Sequence, residues 1–312
     1  MGGAMSMRRW LLLALLAVNV AHATDFDYQL APRQIAADTW VVEGRNEDFT
    51  FANGGNIVNT AFIVTGEGVV LIDSGPSRAY GEQLRAAIAR ITDQPVVRIW
   101  NTHHHPDHFL GNQAFGAAAV HALPTTIADM QQDGNAFTEN MYRLNGDAMA
   151  GTEMRLPQHA ANAGTETFGK HRLALIALSG HTAADLVIFD HSTGVLFASD
   201  LLFHRRAPTT PHAKLTRWLA SLDVLEALNA RVIVPGHGPV SNTAEPIRQT
   251  RAWLTWLGAT LTRGAQTGLD MNELTDTVLP AEQAAMAEAR AEFIRSIAHL
   301  YPQFELDVLE RD

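Results

Sequence analysis

The chain carries Thr102-His103-His104-His105-Pro106-Asp107-His108, in which the pattern His-x-His-x-Asp-His gathers imidazoles and a carboxylate. Imidazole is the commonest neutral metal ligand near pH 7, and zinc sites combine histidine nitrogen with carboxylate oxygen. The motif follows the β-branched, apolar run 95–100, which predicts a buried strand. Its side chains are therefore expected at the carboxyl end of a strand, where open α/β sheets place their sites. A His-rich loop that binds metal only adventitiously is the alternative.

Three further candidate ligands stand downstream, each directly after an apolar run. They are His181 after 173–178, Asp200 after 194–198, and His237 after 231–234. A strand that ends in a turn carrying one histidine or aspartate is a recurring way to aim side chains at a shared point. One such histidine alone is more often structural. The ordered set, following the first motif, predicts a single metal centre.

This ordered set resembles that of the metallo-β-lactamase superfamily, over about residues 53 to 240. The resemblance implies that a first zinc is held by His103, His105 and His181. It implies that a second zinc is held by Asp107, His108 and His237, and that Asp200 bridges the two. Asp73, in Leu71-Ile72-Asp73-Ser74-Gly75, matches the first acidic motif of the superfamily. We expect Asp73 either to support a metal ligand from behind or to cap a turn.

Two stretches, 49–60 and 208–213, are similar to those of the periplasmic quinoprotein relay system zinc metallohydrolases. That group is linked to dehydrogenases that depend on pyrroloquinoline quinone (PQQ). This resemblance implies a compartment and a functional link to those dehydrogenases more than it implies a reaction.

Alternating strand and helix patterns predict an α/β (α+β) fold, and the resemblance implies a four-layer αββα sandwich. We predict one domain over 24–312, with a helical C-terminal part at about 244–312 that covers an edge or forms a homodimer contact. Predicted strands span 39–42, 59–64, 69–73, 96–100, 118–123, 168–178, 186–190, 195–199 and 232–234. Predicted helices span 77–91 and 215–228, and a helical insertion over the active-site face spans 125–149.

Residues 1–23 have the pattern of a secretory signal peptide, with Arg8 and Arg9 before the apolar stretch 11–20 and Ala21-His22-Ala23 at the end. We expect a periplasmic or secreted protein without stable membrane association after cleavage; an uncleaved anchor is the alternative. The chain has no cysteine, so metal ligands must be nitrogen or oxygen. The formal net charge of -10, without a basic patch, disfavours nucleic-acid binding.

The resemblance implies two Zn²⁺ per chain and a metal-bridging hydroxide that attacks an acyl bond of a small-molecule substrate. We predict an ester, thioester or lactone, with Asp107 orienting the nucleophile and His212 donating a proton. Arg205, Arg206 or Lys214 would hold an anionic group of the substrate, or the charged run forms a solvated loop.

Two alternative functions stay open. True β-lactamases usually depart from aspartate at the position of Asp200, so a lactam hydrolase is the second choice. A non-hydrolytic binding or carrier protein for a quinone cofactor is the alternative of another class, because a fold does not fix a function.

Other residues are predicted to have no role in the site. His104 is expected on the opposite side of the motif loop from its neighbours. The remaining histidines are expected at the surface or in the polar core; they are His121, His159, His171, His191 and His299. The apolar residues of the insertion and the tryptophan pair of the C-terminal part are expected to pack in the core; they are Met130, Phe137, Met141, Leu144, Trp253 and Trp256.

Overall fold

Two β-sheets packed face to face form the centre of the computed structural model, which describes residues 26–310. The signal peptide predicted at 1–23 lies outside the described residues. The first sheet has seven strands in chain order: β1 Arg33–Ala36, β2 Thr39–Val42, β3 Thr60–Val64, β4 Val69–Ile72, β5 Val96–Trp100, β6 Ala119–Ala122 and β7 His159–Ala160. The second has five, in the order β12-β11-β10-β9-β8: β8 Gly164–Phe168, β9 His171–Leu178, β10 Asp185–Asp190, β11 Val195–Phe203 and β12 Val232–His237.

The α-helices lie on the outer faces and in the connections. They are α1 Arg78–Ala89, α2 Pro106–Phe109, α3 Pro124–Asn145, α4 Leu215–Ala227, α5 Glu245–Thr267, α6 Met271–Thr275, α7 Ala281–Ala284 and α8 Ala289–Leu309. Two 3₁₀ helices, Leu110–Phe115 and Gly146–Met149, follow α2 and α3. Within residues 26–310, no helix has both the length and the apolar character needed to cross a membrane.

The sheets and the outer helices form four layers, and an apolar cluster fills each of the three spaces between neighbouring layers. The middle cluster lies between the sheets and joins residues such as Ile63 and Trp100 to Leu186 and Phe197. An outer cluster packs α1 on the first sheet. The largest packs α4, α5 and α8 on the second sheet. The predicted αββα sandwich with a helical C-terminal extension is therefore confirmed.

Local sequence accounts for the parts of the fold that hold the site. All four residues of β4 are buried, as a strand covered on both faces requires. Ser77 caps α1, because its hydroxyl accepts the backbone N–H of Tyr80. The C-terminal extension packs through Trp253, which is fully buried, and Trp256, whose ring lies 5.3 Å from that of Trp253 and 5.0 Å from that of Phe293. The expected packing role of both tryptophans is thus confirmed.

Several boundaries differ from the predictions. The strand predicted over 168–178 corresponds to β9, because Gly169 at φ 53° turns the chain after Phe168, the last residue of the antiparallel strand β8. The strand predicted over 195–199 runs on to Phe203 with every residue buried. Strands β1, β7 and most of β8 were not predicted, since they are short and carry exposed residues without a clear apolar alternation.

The predicted insertion is α3 followed by the second 3₁₀ helix. Met130 and Met141 are buried beneath it as expected. Phe137 and Leu144 are only partly buried and line a cavity instead, which corrects their assignment to the core.

Candidate metal centre

The His-x-His-x-Asp-His motif lies in the loop after β5 and in the first turn of α2. Thr102 fixes the start of this loop, because its backbone N–H and hydroxyl donate to the carboxylate of Asp73 at 2.9 and 2.8 Å. Pro106 then begins α2, a position where its missing N–H costs nothing. The change from loop to helix sends His103 and His105 into one cluster and Asp107 and His108 into another.

The first cluster joins His103 and His105 to His181 and Asp200, and its ligand atoms all lie within 4.8 Å of one another. His105 Nδ1 lies 2.9 Å from His181 Nε2. His181 Nε2 lies 3.3 Å from Asp200 Oδ2. The chain thus brings together, from the loops after β5 and β9, the residues predicted for a first zinc, beside Asp200 of β11.

The second cluster joins Asp107, His108 and His237, also within 4.8 Å of one another. Asp200 stands between the two clusters, with Oδ1 3.1 Å from His108 Nε2 and Oδ2 3.1 Å from His237 Nε2. The structure therefore gathers the seven residues that the sequence predicted as metal ligands, with Asp200 in contact with both groups.

Unpartnered polar atoms at the centre fit a bound cation. His103 Nε2, His108 Nε2 and Asp200 Oδ1 are buried and have no hydrogen-bond partner among the described residues. Each such atom costs about 1–3 kcal/mol if it stays unpaired. Imidazole and carboxylate donors without thiolate suit zinc and similar divalent ions. Gly236 lets β12 lie against the carboxylate, since a Cβ there would stand 1.9 Å from Asp200 Oδ1.

Electrostatics favour neutral imidazoles beside an ionised carboxylate. Burial lowers the pKa of His103 and His105 well below the usual value, and lowers the pKa of His181 to about 3. Burial would raise the pKa of Asp200, but the neighbouring imidazoles, His237 foremost, outweigh it and hold that pKa well below the usual range. Three of the ligands therefore offer free lone pairs at neutral pH, as metal binding requires.

The pKa of His108 also reflects the negative potential of the centre. Burial would lower the pKa of His108, but the carboxylates of Asp200, Asp107 and Asp73 outweigh burial and raise the pKa well above the usual value. The potential that holds a proton on this ring would equally attract a cation.

The outward nitrogens of the rings have partners that orient them. His108 Nδ1 lies 2.7 Å from Asp73 Oδ2, and His237 Nδ1 lies 2.9 Å from the carbonyl oxygen of Ile57. With Nδ1–H donating to these oxygens, Nε2 of each ring faces the centre and would bind a cation there, in His108 after loss of its proton. Asp73 thus contacts a candidate ligand from behind, the first of its two expected roles, and also accepts from Thr102.

Two residues that the sequence analysis missed hold the ligand loops. Asp185 accepts the backbone N–H groups of His181 and Thr182, both at 3.1 Å, and burial raises its pKa to about 7. Asn59 Nδ2 donates to the carbonyl oxygens of Pro235 and Gly238 at 2.8 and 2.7 Å, one on each side of His237. A polar residue at the start of an otherwise apolar strand was the only signal of either, and it does not reveal which backbone groups the side chain contacts.

A cavity of about 420 Å³ opens onto the centre and is lined by Asp107, Asp200 and His237. Its apolar wall consists of Phe49, Ile57, Phe137, Met141, Leu144 and Pro211. Two guanidinium groups, from Arg206 after β11 and from Arg295 on α8, line the same cavity. The cavity therefore combines the candidate ligands with an apolar wall and two cationic side chains.

Glu292 of α8 lies between the two arginines. Its Oε1 accepts from Arg295 Nη1 at 2.7 Å and from the hydroxyl of Thr209 at 2.8 Å, whereas Arg206 Nη2 is 3.7 Å away. Arg206 is 2% exposed, and its Nε has no hydrogen-bond partner among the described residues. Arg206 therefore keeps donor capacity beside the cavity.

The structure places some of the other predicted substrate residues at the cavity and others away from it. Arg205 and Lys214 are exposed and do not line this cavity, which leaves Arg206 alone of the three beside the centre. His212 stands at the rim, with Nδ1 2.9 Å from His105 Nε2. His299 also lines the cavity, which corrects its assignment as a residue without a place in the site.

The other histidines lie away from the centre. His171 is buried and pairs with Asp190 at 2.8 Å, His121 stacks on His159, and His191 is exposed. His104 faces His212 and Phe137 rather than the first cluster.

Residues 53–237 match the family model of the metallo-beta-lactamase superfamily, and the chain belongs to that superfamily. A linear primary-alkylsulfatase of Pseudomonas sp. (strain ATCC 19151) is 24% identical over 278 residues, which covers 75% of this chain and 52% of the relative. A beta-lactamase-like protein 2 homolog of Caenorhabditis elegans is 28% identical over 184 residues, covering 58% and 56%. The chain thus spans about half the length of these two relatives. The probable metallo-hydrolase YqjP of Bacillus subtilis (strain 168) is 26% identical over 240 residues, covering 65% and 71%.

Solved structures share the fold. A metallo-beta-lactamase from Pontibacter korlensis has a TM-score of 0.60 at 23% identity, covering 73% of this chain and 99% of that one. One from Hirschia baltica has a TM-score of 0.58 at 16% identity, covering 72% and 97%. The family model and the solved structures agree on the metallo-beta-lactamase fold of this chain.

Proposed function

We propose that this chain hydrolyses an ester, thioester or lactone with two Zn²⁺ ions, one held by each cluster and both by Asp200. The observation that carries the proposal is the position of Asp200, whose oxygens lie 3.1–3.3 Å from imidazole nitrogens of both clusters. When bound, the two ions would supply Lewis acidity and an activated water at neutral pH. The remaining roles belong to side chains of this chain.

Asp107 is proposed to orient the attacking water as well as to bind metal. Its carboxylate lines the cavity, and Oδ2 lies 3.5 Å from His237 Nε2. It therefore stands between the candidate ligands and the space where a substrate would enter. A carboxylate in this position can accept a proton from water.

His212 is proposed to protonate the leaving group. If Nδ1 of His105 binds metal, the proton of that ring is on Nε2, which donates to His212 Nδ1 over the 2.9 Å contact. His212 then carries its own proton on Nε2, so the neutral ring can donate a hydrogen bond to the leaving group, and a ring that has taken a second proton from solvent can transfer one to it. Burial lowers the pKa of His212, which makes the protonated ring a stronger acid.

The cavity favours a substrate with an apolar arm and an anionic group. The apolar wall would hold the arm, and Arg206 and Arg295 would donate to the anion. One observation favours a sulfate ester as a second candidate. The relative that shares the longest alignment given above is described as an alkylsulfatase, and a sulfate ester of an alkyl chain has both features. A lactam stays an alternative substrate, and a quinone carrier is the alternative without turnover.

The test is a panel of a thioester, a lactone, a β-lactam and an alkyl sulfate, offered to the zinc-loaded protein from Thr24 onward. His181→Ala is the control. We expect turnover of an acyl or sulfate ester that the control lacks. Equal background rates for both proteins on every substrate would refute the hydrolase proposal and favour the carrier.

We also propose a periplasmic location and a link to PQQ-dependent dehydrogenases. Support comes from the two resembling stretches, which supply Phe49, Ile57, Pro211 and His212 to the cavity. Osmotic-shock release of the processed chain in its native host tests the location; retention in the cytoplasmic fraction would refute it.

A further inference from the structure

A third group of imidazoles lies outside the centre described above. His104, His105 and His212 each offer one ring nitrogen, and these nitrogens all lie within 4.8 Å of one another. The ring centroids of His104 and His105 are 4.9 Å apart, and each of these two centroids lies 5.1 Å from that of His212. The group joins the motif loop to the segment between β11 and α4.

His104 supplies a second, independent observation. His104 is 4% exposed, and its Nδ1 has no hydrogen-bond partner among the described residues. A buried nitrogen without a partner is unfavourable, so such an atom beside two other imidazoles points to a ligand-binding role rather than to packing alone.

The surroundings carry negative charge. A cavity of about 640 Å³ adjoins His104 and His212, and its wall includes Asp129 and Asp133 of α3 and Asp307 of α8. Lys214 lines the same cavity and partly offsets these carboxylates. Aspartates on α3 could complete the coordination of an ion that the imidazoles hold.

We propose that His104, His105 and His212 form an outer site for a borderline divalent transition ion such as Zn²⁺ or Cu²⁺. Three imidazoles without thiolate favour these ions over Ca²⁺ or Mg²⁺, which prefer oxygen ligands. His105 would present Nδ1 to the first cluster and Nε2 to the outer site. Metal at the outer site would take the place of the contact between His105 Nε2 and His212 Nδ1, which lie 2.9 Å apart, and the proton held there would pass to solvent.

The experiment is equilibrium dialysis of the full mature protein against a Zn²⁺ series at pH 8, with bound metal measured by elemental analysis. Variants His104→Gln and His212→Gln remove the outer site. The matched control is His191→Gln, which alters an exposed histidine away from the group. Circular dichroism verifies that every variant is folded.

We expect the wild type and the control to bind one more Zn²⁺ per chain than the two variants do. A wild type that binds no more than His104→Gln would overturn the outer site. His181→Ala separates this inference from the proposed hydrolase, because it removes an inner ligand alone. Loss of metal in His104→Gln but not in His181→Ala would support the outer site and refute the dinuclear centre.

Discussion

Residues 53–237 and the C-terminal helices α5–α8 contribute to one site in different ways. The first region, which matches the family model, contains all seven candidate metal ligands. The second contributes Arg295 and His299 to the wall of the cavity and buries Glu292 between two arginines. We infer that the family segment determines the chemistry and that the C-terminal extension helps to determine the substrate.

The largest expected effect comes from the family segment. His181→Ala removes a ligand of the first cluster, and we expect kcat/KM to fall by more than about 100-fold, because loss of a mere ligand-supporting partner already costs 10–100-fold. Rates on the best substrate of the panel, together with bound zinc, measure this. Unchanged turnover would show that the chemistry lies elsewhere.

A smaller effect, on zinc affinity, is expected for Asp73, which contacts a candidate ligand from behind. Asp73→Asn weakens the contact with His108 Nδ1, and zinc affinity should fall by about 10–100-fold. Competition with a chromophoric chelator measures the affinity. The control is Asp27→Asn at the exposed N-terminal end of the described chain, which should bind zinc like the wild type. Equal affinities of the two variants would contradict the role of Asp73.

A further test of the C-terminal extension is the variant Arg295→Ala. We expect KM for an anionic substrate to rise by about 10-fold, as loss of a charge-assisted hydrogen bond costs about 1.5–3 kcal/mol, while zinc content stays unchanged. Arg263→Ala, an exposed arginine on α5 away from the cavity, is the matched control. The same KM increase for a neutral substrate would argue against recognition of an anion.

The smallest effect concerns the contact between the C-terminal extension and Asp48, which lies just before the family segment. Burial would raise the pKa of Asp48, but the backbone N–H of Phe49 and the guanidinium of Arg295 outweigh it and lower that pKa below 3.8. A carboxyl whose pKa is lower in the folded state stabilises the fold above pH 3.8 and loses this contribution as pH falls further. Urea unfolding between pH 5 and 3 should therefore show a weaker pH dependence in Arg295→Ala. Equal slopes for both proteins would contradict this link.

The sequence predicted the centre better than its surroundings, for a physical reason. Each candidate ligand follows an apolar run, a local pattern that one segment carries by itself, although Asp200 lies within β11. Asp185 accepts from the backbone of His181, four residues before it, whereas Asn59 is 176 residues from Pro235. The contact of Asn59 depends on how strands pair, which no local pattern states. Arg295 was missed likewise, because helical periodicity does not say which pocket a charged face meets.

The central claim is that the two clusters hold two metal ions on either side of Asp200. A crystal structure of the zinc-loaded protein, with anomalous scattering measured at the zinc edge, tests it most directly. The account predicts two anomalous peaks about 3.5–4 Å apart, both within bonding distance of the Asp200 carboxylate. A single peak that involves only one cluster, or none at either, would contradict it.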